Sequence, residues 1–158
     1  MSDDVLGRIR QMLTEAQVPY REVNHPPTLT SEESAAARGE ELGVGAKALL
    51  LRTDDSYRLF VLPADRKLDS AAVRKQLGVK SLRFATREEL SEATGLVPGA
   101  VPPFGEPILP FELYADVTVG AAHDKVAFNA GELTVSIVMS ASDWERVARP
   151  HRMRLAMQ

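Results

Sequence analysis

One lysine stands where its side chain could do chemistry. Lys47 lies in the stretch GVGAKALLLR, directly after two glycines and at the start of an apolar run. A lysine at the end of a strand usually packs its aliphatic stem and extends its ammonium group into solvent. The alternative is a cation held at the mouth of a pocket, in contact with a phosphate or a ribose oxygen. The residues around Lys47 leave both interpretations open.

A stiff, uncharged loop is the second candidate. Residues 95–105 read GLVPGAVPPFG and contain three prolines and three glycines but no charged residue. Proline fixes φ and removes a backbone donor, whereas glycine adopts conformations closed to other residues, so no regular helix or central strand fits here. From composition alone, a rigid connection is the commoner explanation. The functional alternative is a pocket wall whose backbone N–H groups polarise a carbonyl or hold an oxyanion.

Two further segments place polar side chains near the ends of predicted elements. In HPPTLTSEESA, Thr30 and Glu33 have the spacing of a capping box, which explains both as helix caps. His25 opens that segment before two prolines and fits a simple turn. In NAGELTVSI, residues 129–137, Ser136 alternates with apolar neighbours and faces away from them, so it could line a pocket.

Several reaction classes are excluded by what the chain lacks. It has no cysteine, so no disulfide, thiolate nucleophile or cysteine-based metal site can form. The three histidines are far apart and show no metal-ligand spacing, so we predict neither a metal nor a cofactor. There is no Ser-His-Asp pattern and no distinctive carboxylate pair. The loop also lacks the Lys-Ser/Thr ending of a phosphate-binding P-loop, which argues against nucleotide hydrolysis.

The elements that must position these residues follow from local sequence signals. Apolar runs predict seven strands, and the two that flank DDS form a hairpin. Hairpins mixed with scattered helices are unlike the alternation of a doubly wound sheet, so we predict an α+β fold: a mixed, mostly antiparallel sheet with surrounding helices. Helical spacing and caps predict five helices: 5–16 behind a cap at Ser2 or Asp3, an Ala-rich one from Thr30 to about 42 stopped by Gly43 and Gly45, one after Asp69, one after Thr86 ending at Gly95, and one around Trp144 capped by Ser140 or Ser142.

Length and charge set the broad class. The 158 residues predict a single domain spanning 1–158, with a hydrophobic fraction of 44% that is ordinary for a globular protein. The net charge of −3 argues against a general nucleic-acid coat but allows a local basic patch. No signal-like N-terminal region and no apolar run near ~18 residues is present, so we expect no membrane and a cytoplasmic location.

Four segments together resemble the YbaK/ProX family of aminoacyl-tRNA editing domains, which includes free-standing trans-editing proteins and the insertion domain of bacterial prolyl-tRNA synthetase. HPPTLTSEESA, GAKALLL, GLVPGAVPPFG and AFNAGELTVSI occur in the family's order, and the likeness runs from Pro19 to Val147. The resemblance implies a YbaK-like fold and hydrolysis of the ester that joins a wrong amino acid to tRNA.

The resemblance also implies roles for residues. Lys47 is expected to be essential for catalysis, and the stiff loop is expected to surround the aminoacyl group and exclude the larger, correct residue. Water is expected to be activated with help from the terminal ribose hydroxyl of the substrate rather than by a protein base. The residues expected to bind substrate are His25, Thr30, Gly95, Val97, Pro98, Gly99, Pro102, Pro103, Phe104, Gly105, Asn129, Gly131 and Ser136.

Specificity and partners are less defined by the resemblance. Some members carry Ser where this chain has Asn129 and Asp where it has Ser136, so neither alanine nor cysteine specificity transfers. No interpretation of Arg38 follows from the sequence. The expected partner is the acceptor end of an aminoacyl-tRNA, with prolyl-tRNA synthetase and a second copy of the chain as further candidates. The basic segment RVARPHRMR is either a solvated tail or a surface that steers the tRNA backbone.

Three functions compete. The leading hypothesis is an enzyme that deacylates mischarged tRNA in trans, with tRNA(Pro) or a related tRNA carrying a small wrong amino acid as substrate. The second is a module that binds tRNA or a synthetase but has lost hydrolysis, and the third is an ester or amide hydrolase unrelated to tRNA. Lys47 and the intact glycines of the loop favour the enzyme.

Overall fold

The chain forms helices and strands in an irregular order, as the computed structural model describes for residues 4–158. Within those residues, none of the helices is long and apolar enough to cross a membrane. The helices are α1 (Val5–Glu15), α2 (Ser31–Arg38), α3 (Ser70–Leu77), α4 (Arg87–Thr94) and α5 (Ala141–Ala148), with a 3-10 turn at Leu42–Val44. The strands are β1 (Tyr20–Asn24), β2 (Ala46–Thr53), β3 (Ser56–Pro63), β4 (Leu82–Phe84), β5 (Leu113–Asp116), β6 (Lys125–Glu132), β7 (Val135–Ser140) and β8 (His151–Met153).

The strands make two sheets where the sequence predicts one. The three-stranded sheet has the order β1-β7-β6 and is antiparallel throughout. The five-stranded sheet has the order β4-β2-β3-β5-β8, with antiparallel pairs around the predicted hairpin and parallel pairs on the β5 side. An isolated parallel bridge between Gly45 and Ala127 links the two sheets. The α+β class and the mostly antiparallel pairing are therefore confirmed.

Strand β3 is buried on both faces and separates two hydrophobic cores. Leu59 and Val61 belong to the larger core, which also contains residues of α1, α5, β6 and β7. Phe60 and Leu62 point the other way and pack with Leu155 and α3 in the smaller core. This alternation is what a period of two predicts for a central strand.

Most helix signals are confirmed, and two boundaries differ. Asp4 caps α1, and its side chain accepts from the N–H of Gly7 at 2.7 Å; the predicted caps Ser2 and Asp3 lie outside the described residues. Helix α2 ends at Arg38 rather than near residue 42, because Gly39 adopts φ +69° and terminates it. Glycine takes this left-handed conformation without the clash that a Cβ would cause.

The C-terminal segment is folded, so the solvated tail, one of the two alternatives for it, is wrong. Residues His151–Met153 form β8, parallel to β5, and Leu155 is fully buried. Asp116 at the end of β5 holds this segment, because its Oδ1 accepts from the N–H groups of Leu155 at 2.7 Å and Ala156 at 2.8 Å. Its Oδ2 accepts from the N–H of Thr118 at 2.9 Å and from the Thr118 hydroxyl.

Candidate active site

A cleft of about 200 Å³ lies where the two sheets meet, beside the bridge between Gly45 and Ala127. The start of β2, the middle of β6, the segment entering α2 and the middle of the stiff loop form its walls. The structure thus brings parts of all four sequence motifs together. The residues that line the cleft are Thr28, Leu29, Thr30, Ser31, Ser34, Arg38, Gly45, Ala46, Lys47, Ala48, Leu49, Ala64, Gly99, Val101, Ala127, Phe128 and Asn129.

Lys47 lies on the wall of this cleft, in the second position of β2. It pairs with Leu62 of β3 in the antiparallel register, which places it beside the buried strand at the centre of the sheet. Burial lowers the pKa of the Lys47 ammonium, while Asp65 and Glu32 act in the opposite direction. Within residues 4–158 the ammonium makes neither an ion pair nor a hydrogen bond, so its donors are available to a ligand.

The stiff loop reaches the cleft only through its middle. Gly99 and Val101 line the cleft, and Gly99 adopts φ +89°, a conformation that favours glycine. The carbonyl oxygen of Gly99 accepts a hydrogen bond from the side-chain amide of Asn129 at 2.9 Å. The loop is therefore tied to β6 at the point where it forms the wall.

The second half of the loop belongs to the core rather than to the cleft. Pro102 and Pro103 are buried, and the carbonyl oxygen of Pro103 accepts from the indole N–H of Trp144 at 2.9 Å. The Phe104 ring is fully buried and meets Phe128 edge to face, with centroids 5.4 Å apart. A Cβ on Gly105 would stand 2.5 Å from the carbonyl oxygen of Phe111, so close packing explains that glycine. None of these four predicted binding residues borders the cleft.

The first residues of the loop also lie elsewhere. Gly95 ends α4 with φ +74°, and Pro98 is exposed. Gly95, Val97 and Gly131 line a separate groove beside the start of α1. At Gly131, where φ is +84°, a Cβ would stand 2.9 Å from the side chain of Val5. Backbone conformation accounts for Gly95 and packing for Gly131, and the structure does not bring Gly95, Val97, Pro98 or Gly131 to the cleft.

Polar side chains form a network at the base of the cleft. The Arg38 guanidinium donates from Nε to the hydroxyl of Ser136 at 2.9 Å and from Nη2 to Oδ1 of Asn129 at 3.1 Å. Ser136 is fully buried and does not border the cleft, so it supports Arg38 and Asn129 from beneath. Ser136 of β7 pairs directly with Asn129 of β6 in the antiparallel register.

His25 joins the same network from the far side. Its Nδ1 lies 2.9 Å from the carbonyl oxygen of Pro26, which can only accept, so Nδ1 carries a proton. Its Nε2 lies 2.8 Å from the Ser136 hydroxyl, which also lies 3.0 Å from Oδ1 of Asn129. The Ser136 hydroxyl therefore has one proton for two neighbouring acceptors when His25 is neutral. His25 supports the network and, like Ser136, does not border the cleft.

Arg38, Thr28 and Ser34 are site residues that the sequence reasoning missed. The hydroxyls of Thr28 and Ser34 lie 2.7 Å apart, and both residues are buried beside the cleft. Ser34 and Arg38 are four residues apart on α2, so they share one face of the helix. Ala35 is buried beside them. The one sequence feature that could have indicated Arg38 is its position on the same helix as these small residues.

The charged side chains that line the cleft are both positive. Arg38 is 9% exposed, and burial lowers its pKa to about 10, although Glu40 acts in the opposite direction. Lys47 and Arg38 are the only ionisable residues that line the cleft in the described part of the chain. Residues 4–158 also contain no group of three or more His, Cys, Asp or Glu side chains that could hold a metal ion. The cleft offers two cations, backbone groups and neutral polar side chains, and none of its lining residues is a carboxylate or an imidazole.

A larger groove does not gather the predicted chemistry. It measures about 740 Å³ and lies between α1, α5 and the segment after the stiff loop. Gly105 is the single predicted site residue on its border, and its rim mixes Arg146 and Arg149 with Glu106 and Glu112. We therefore take the smaller cleft as the candidate active site.

Comparison with known proteins gives a consistent set of relatives. The profile of a family described as aminoacyl-tRNA editing domain matches residues 25–147. A protein of Escherichia coli K12 named multifunctional Ser/Thr-tRNA deacylase ProXp-y is 33% identical over 148 residues, covering 90% of this chain and 87% of that one. The prolyl-tRNA editing protein ProX of Acetoanaerobium sticklandii is 25% identical, covering 94% and 93%.

Larger enzymes and solved structures extend this comparison. The proline–tRNA ligase of Shouchella clausii is 34% identical over 107 residues, which are 68% of this chain and 18% of the ligase. A crystal structure described provisionally as a trans-editing enzyme for prolyl tRNA synthetase superposes with a TM-score of 0.83 at 25% identity, covering 100% of this chain and 99% of that one.

Proposed function

The chain belongs to the aminoacyl-tRNA editing domain family, and from that membership we propose that it is a trans-editing deacylase of mischarged aminoacyl-tRNA. The observation that carries the proposal is the cleft itself, in which Lys47, Gly99 and Asn129 meet from three separate motifs. A non-catalytic tRNA-binding module is not favoured, since the relatives with the same coverage are named as deacylases or editing proteins.

The proposed reaction is hydrolysis of the ester between the amino acid and the terminal ribose. Water adds to the carbonyl carbon, the bond from that carbon to the ribose oxygen breaks, and the ribose oxygen takes up a proton. Negative charge develops on the carbonyl oxygen, where cations and backbone N–H groups stabilise it. No Asp, Glu or His lines the cleft in residues 4–158, so a neighbouring ribose hydroxyl of the substrate is proposed to orient the water and to relay its proton to the departing ribose oxygen.

The proposed role of Lys47 is to hold the terminal nucleotide at the mouth of the cleft. Its half-buried ammonium has free donors and suits a phosphate or ribose oxygen. The proposed role of Gly99 and Val101 is to limit the side chain that enters. Thr30 and Asn129 contact the aminoacyl group from the two other walls. A rigid wall discriminates by exclusion more strongly than a binding pocket, which separates one methylene by only ~1–3 kcal/mol.

The proposed substrate carries a small or hydroxylated amino acid. Serine and threonine, which occur in the name of the Escherichia coli relative, are the first candidates, followed by alanine and cysteine. The homology to a segment of proline–tRNA ligases makes tRNA(Pro) a first choice of tRNA and such a ligase a candidate partner.

The decisive experiment measures release of the amino acid from a panel of tRNAs. The purified full chain is incubated with tRNA(Pro) carrying Ser, Thr, Ala, Cys or Pro, and with the same amino acids on their own tRNAs. We expect hydrolysis of small noncognate esters and none of Pro-tRNA(Pro). Binding without release would support the non-catalytic module. Equal turnover of free aminoacyl esters would support a hydrolase unrelated to tRNA.

A further inference from the structure

Arg38 is a buried cation without an anionic partner. Among residues 4–158 it forms no ion pair, and Glu40, the carboxylate that affects it most, instead binds Arg21 and Lys125 at 2.7 Å each. Burying a charge costs several kcal/mol when nothing compensates it. A chain that keeps such a charge beside a cleft has a cation available for a ligand.

The hydrogen-bond donors of Arg38 show which atom is available. Nε donates to Ser136 and Nη2 to Asn129, whereas Nη1 has no protein partner in residues 4–158 and is not sealed from solvent. Nη1 lies 3.5 Å from the position that a Cβ on Gly45 would take, and Gly45 lines the cleft. The free nitrogen therefore lies next to a residue of the cleft wall.

We propose that Arg38 is a specificity-determining residue, whose Nη1 donates a hydrogen bond to a hydroxyl on the side chain of the aminoacyl group. Ser136 and Asn129 hold the guanidinium in place, and Thr28 and Ser34 complete a polar floor. A site built to pair with a substrate hydroxyl rejects the analogue without it, because its own polar groups are then left unpaired. This inference rests on the proposed function and assigns the residue that reads the amino acid.

The free donors of Arg38 have two candidate acceptors in a seryl or threonyl ester, the side-chain hydroxyl and the ester carbonyl. A carboxylate is gripped best by two parallel N–H groups of one guanidinium. Nε and one N–H of Nη2 are used inside the protein, which leaves the two N–H groups of Nη1 and one of Nη2, but the carboxyl group of the aminoacyl group is esterified and offers no such pair of oxygens. A contact to the ester carbonyl would help every amino acid equally, whereas a contact to the side-chain hydroxyl would help only serine and threonine. The two alternatives therefore differ in selectivity.

The test compares seryl and threonyl esters with alanyl esters on the same tRNA. Alanine lacks the hydroxyl and keeps the ester, so it separates reading of the side chain from contact with the carbonyl. We expect the wild type to deacylate Ser-tRNA and Thr-tRNA with a higher kcat/KM than Ala-tRNA. Arg38→Met should reduce that preference by about 10- to 100-fold, the effect of one charge-assisted hydrogen bond. Arg38→Lys should restore it only in part, since lysine lacks the planar fork.

Each alternative result has a defined meaning. Equal losses on seryl and alanyl esters would assign Arg38 to the carbonyl or to the fold and overturn the inference. A wild type without preference for the hydroxyl would overturn it even if the variants fail to fold. Absence of deacylation from every tRNA would reject the proposed function itself. Arg87→Met, an exposed arginine of α4, is the matched control and should change neither rate nor selectivity.

Discussion

Asp116 and Arg38 are the two charged side chains that the described part of the chain buries, and they are satisfied in different ways. Asp116 accepts from three backbone N–H groups and a hydroxyl, all within the protein. Arg38 lines the cleft, has only neutral partners, and its Nη1 has no partner in residues 4–158. A buried charged group whose hydrogen bonds are all made within the protein stabilises one conformation of the chain. A buried charged group with unused donors can also bind a ligand. We therefore expect variants near Asp116 to change stability and variants near Arg38 to change activity.

The largest effect is expected on the activity side, at Lys47. Lys47→Ala removes a half-buried cation that forms neither an ion pair nor a hydrogen bond in residues 4–158, so we expect deacylation to fall at least ~100-fold, or roughly 3 kcal/mol of transition-state stabilisation. The midpoint of thermal unfolding should stay within about 2 °C of the wild type. Single-turnover deacylation and circular dichroism measure the two effects.

Lys75→Ala provides the control for Lys47, because Lys75 is exposed on α3 and does not line the cleft. It should leave both rate and stability unchanged. Full turnover by Lys47→Ala would remove Lys47 from the site and weaken the contrast between the two regions.

The next effect is on stability, at Asp116. Asp116→Ala leaves the N–H groups of Leu155 and Ala156 buried without an acceptor, so we expect the free energy of unfolding to fall by about 3 kcal/mol. The rate per folded molecule should not change at low temperature. Urea unfolding followed by tryptophan fluorescence measures the loss, since Trp144 is fully buried. Asp55→Ala, in the exposed turn between β2 and β3, is the matched control.

Acid should also remove the contribution of the Asp116 carboxylate to the free energy of unfolding. Burial raises the pKa of Asp116, but the hydrogen bonds from Thr118, Leu155 and Ala156 outweigh burial and hold the pKa below its usual value. The stabilisation is then complete above the unfolded pKa of about 3.9 and is lost as the pH falls through the folded value. The difference in stability between wild type and Asp116→Asn should therefore shrink between about pH 5 and pH 2. A constant difference across that range would show that Asp116 is not the carboxylate responsible.

A smaller effect is expected from two glycines that share a backbone conformation. Gly99 has φ +89° at the cleft and Gly78 has φ +68° at the end of α3, far from it. A Cβ at Gly78 would meet nothing within 4 Å, and one at Gly99 would only touch Leu133 at 3.4 Å. Both alanine variants should lose about 1 kcal/mol of stability. Only Gly99→Ala should also slow deacylation, by about five- to tenfold; equal rates would make the loop a connector.

The smallest effect is expected at the C-terminal arginines. Arg152 donates to the carbonyl oxygens of Asp116 and Val119 and pairs with Glu145, and Arg146 pairs with Asp143, so both are committed within the protein. Arg149 and Arg154 remain exposed. If they contact tRNA phosphates, Arg149→Glu with Arg154→Glu should raise KM about two- to threefold and flatten its dependence on salt. Deleting this segment would remove β8 and the N–H groups that Asp116 binds, and so would destabilise the fold. Charge reversal therefore tests the contact with tRNA more directly.

The sequence predicted local structure better than it predicted long-range contacts. The caps at Thr86 and Asp69, the hairpin between β2 and β3 and the α+β class are confirmed, because each depends on residues close together in the chain. The division into two sheets and strand β8 were missed. Both depend on pairings between distant segments, and the arginines on either side of β8 make this part of the sequence resemble an exposed tail.

The candidate site shows the same limit. Lys47, Gly99, Asn129 and Thr30 line the cleft as the motifs suggested, whereas Phe104 and Gly105 share the motif but serve packing. A loop turns its residues toward opposite sides, and the sequence does not tell which ones face the ligand. Arg38 was missed because its partners lie 91 and 98 positions away in the chain.

The position of the cleft on the seam between two sheets has a consequence for how such a protein can diverge. Lys47 belongs to the five-stranded sheet and Asn129 to the three-stranded one, and an isolated bridge between Gly45 and Ala127 connects the two sheets. A substitution at Asn129 or Ser136 can reshape the floor without disturbing the register that presents Lys47. Proteins that diverge from one ancestral gene can therefore change the amino acid that they accept while they keep the position of Lys47.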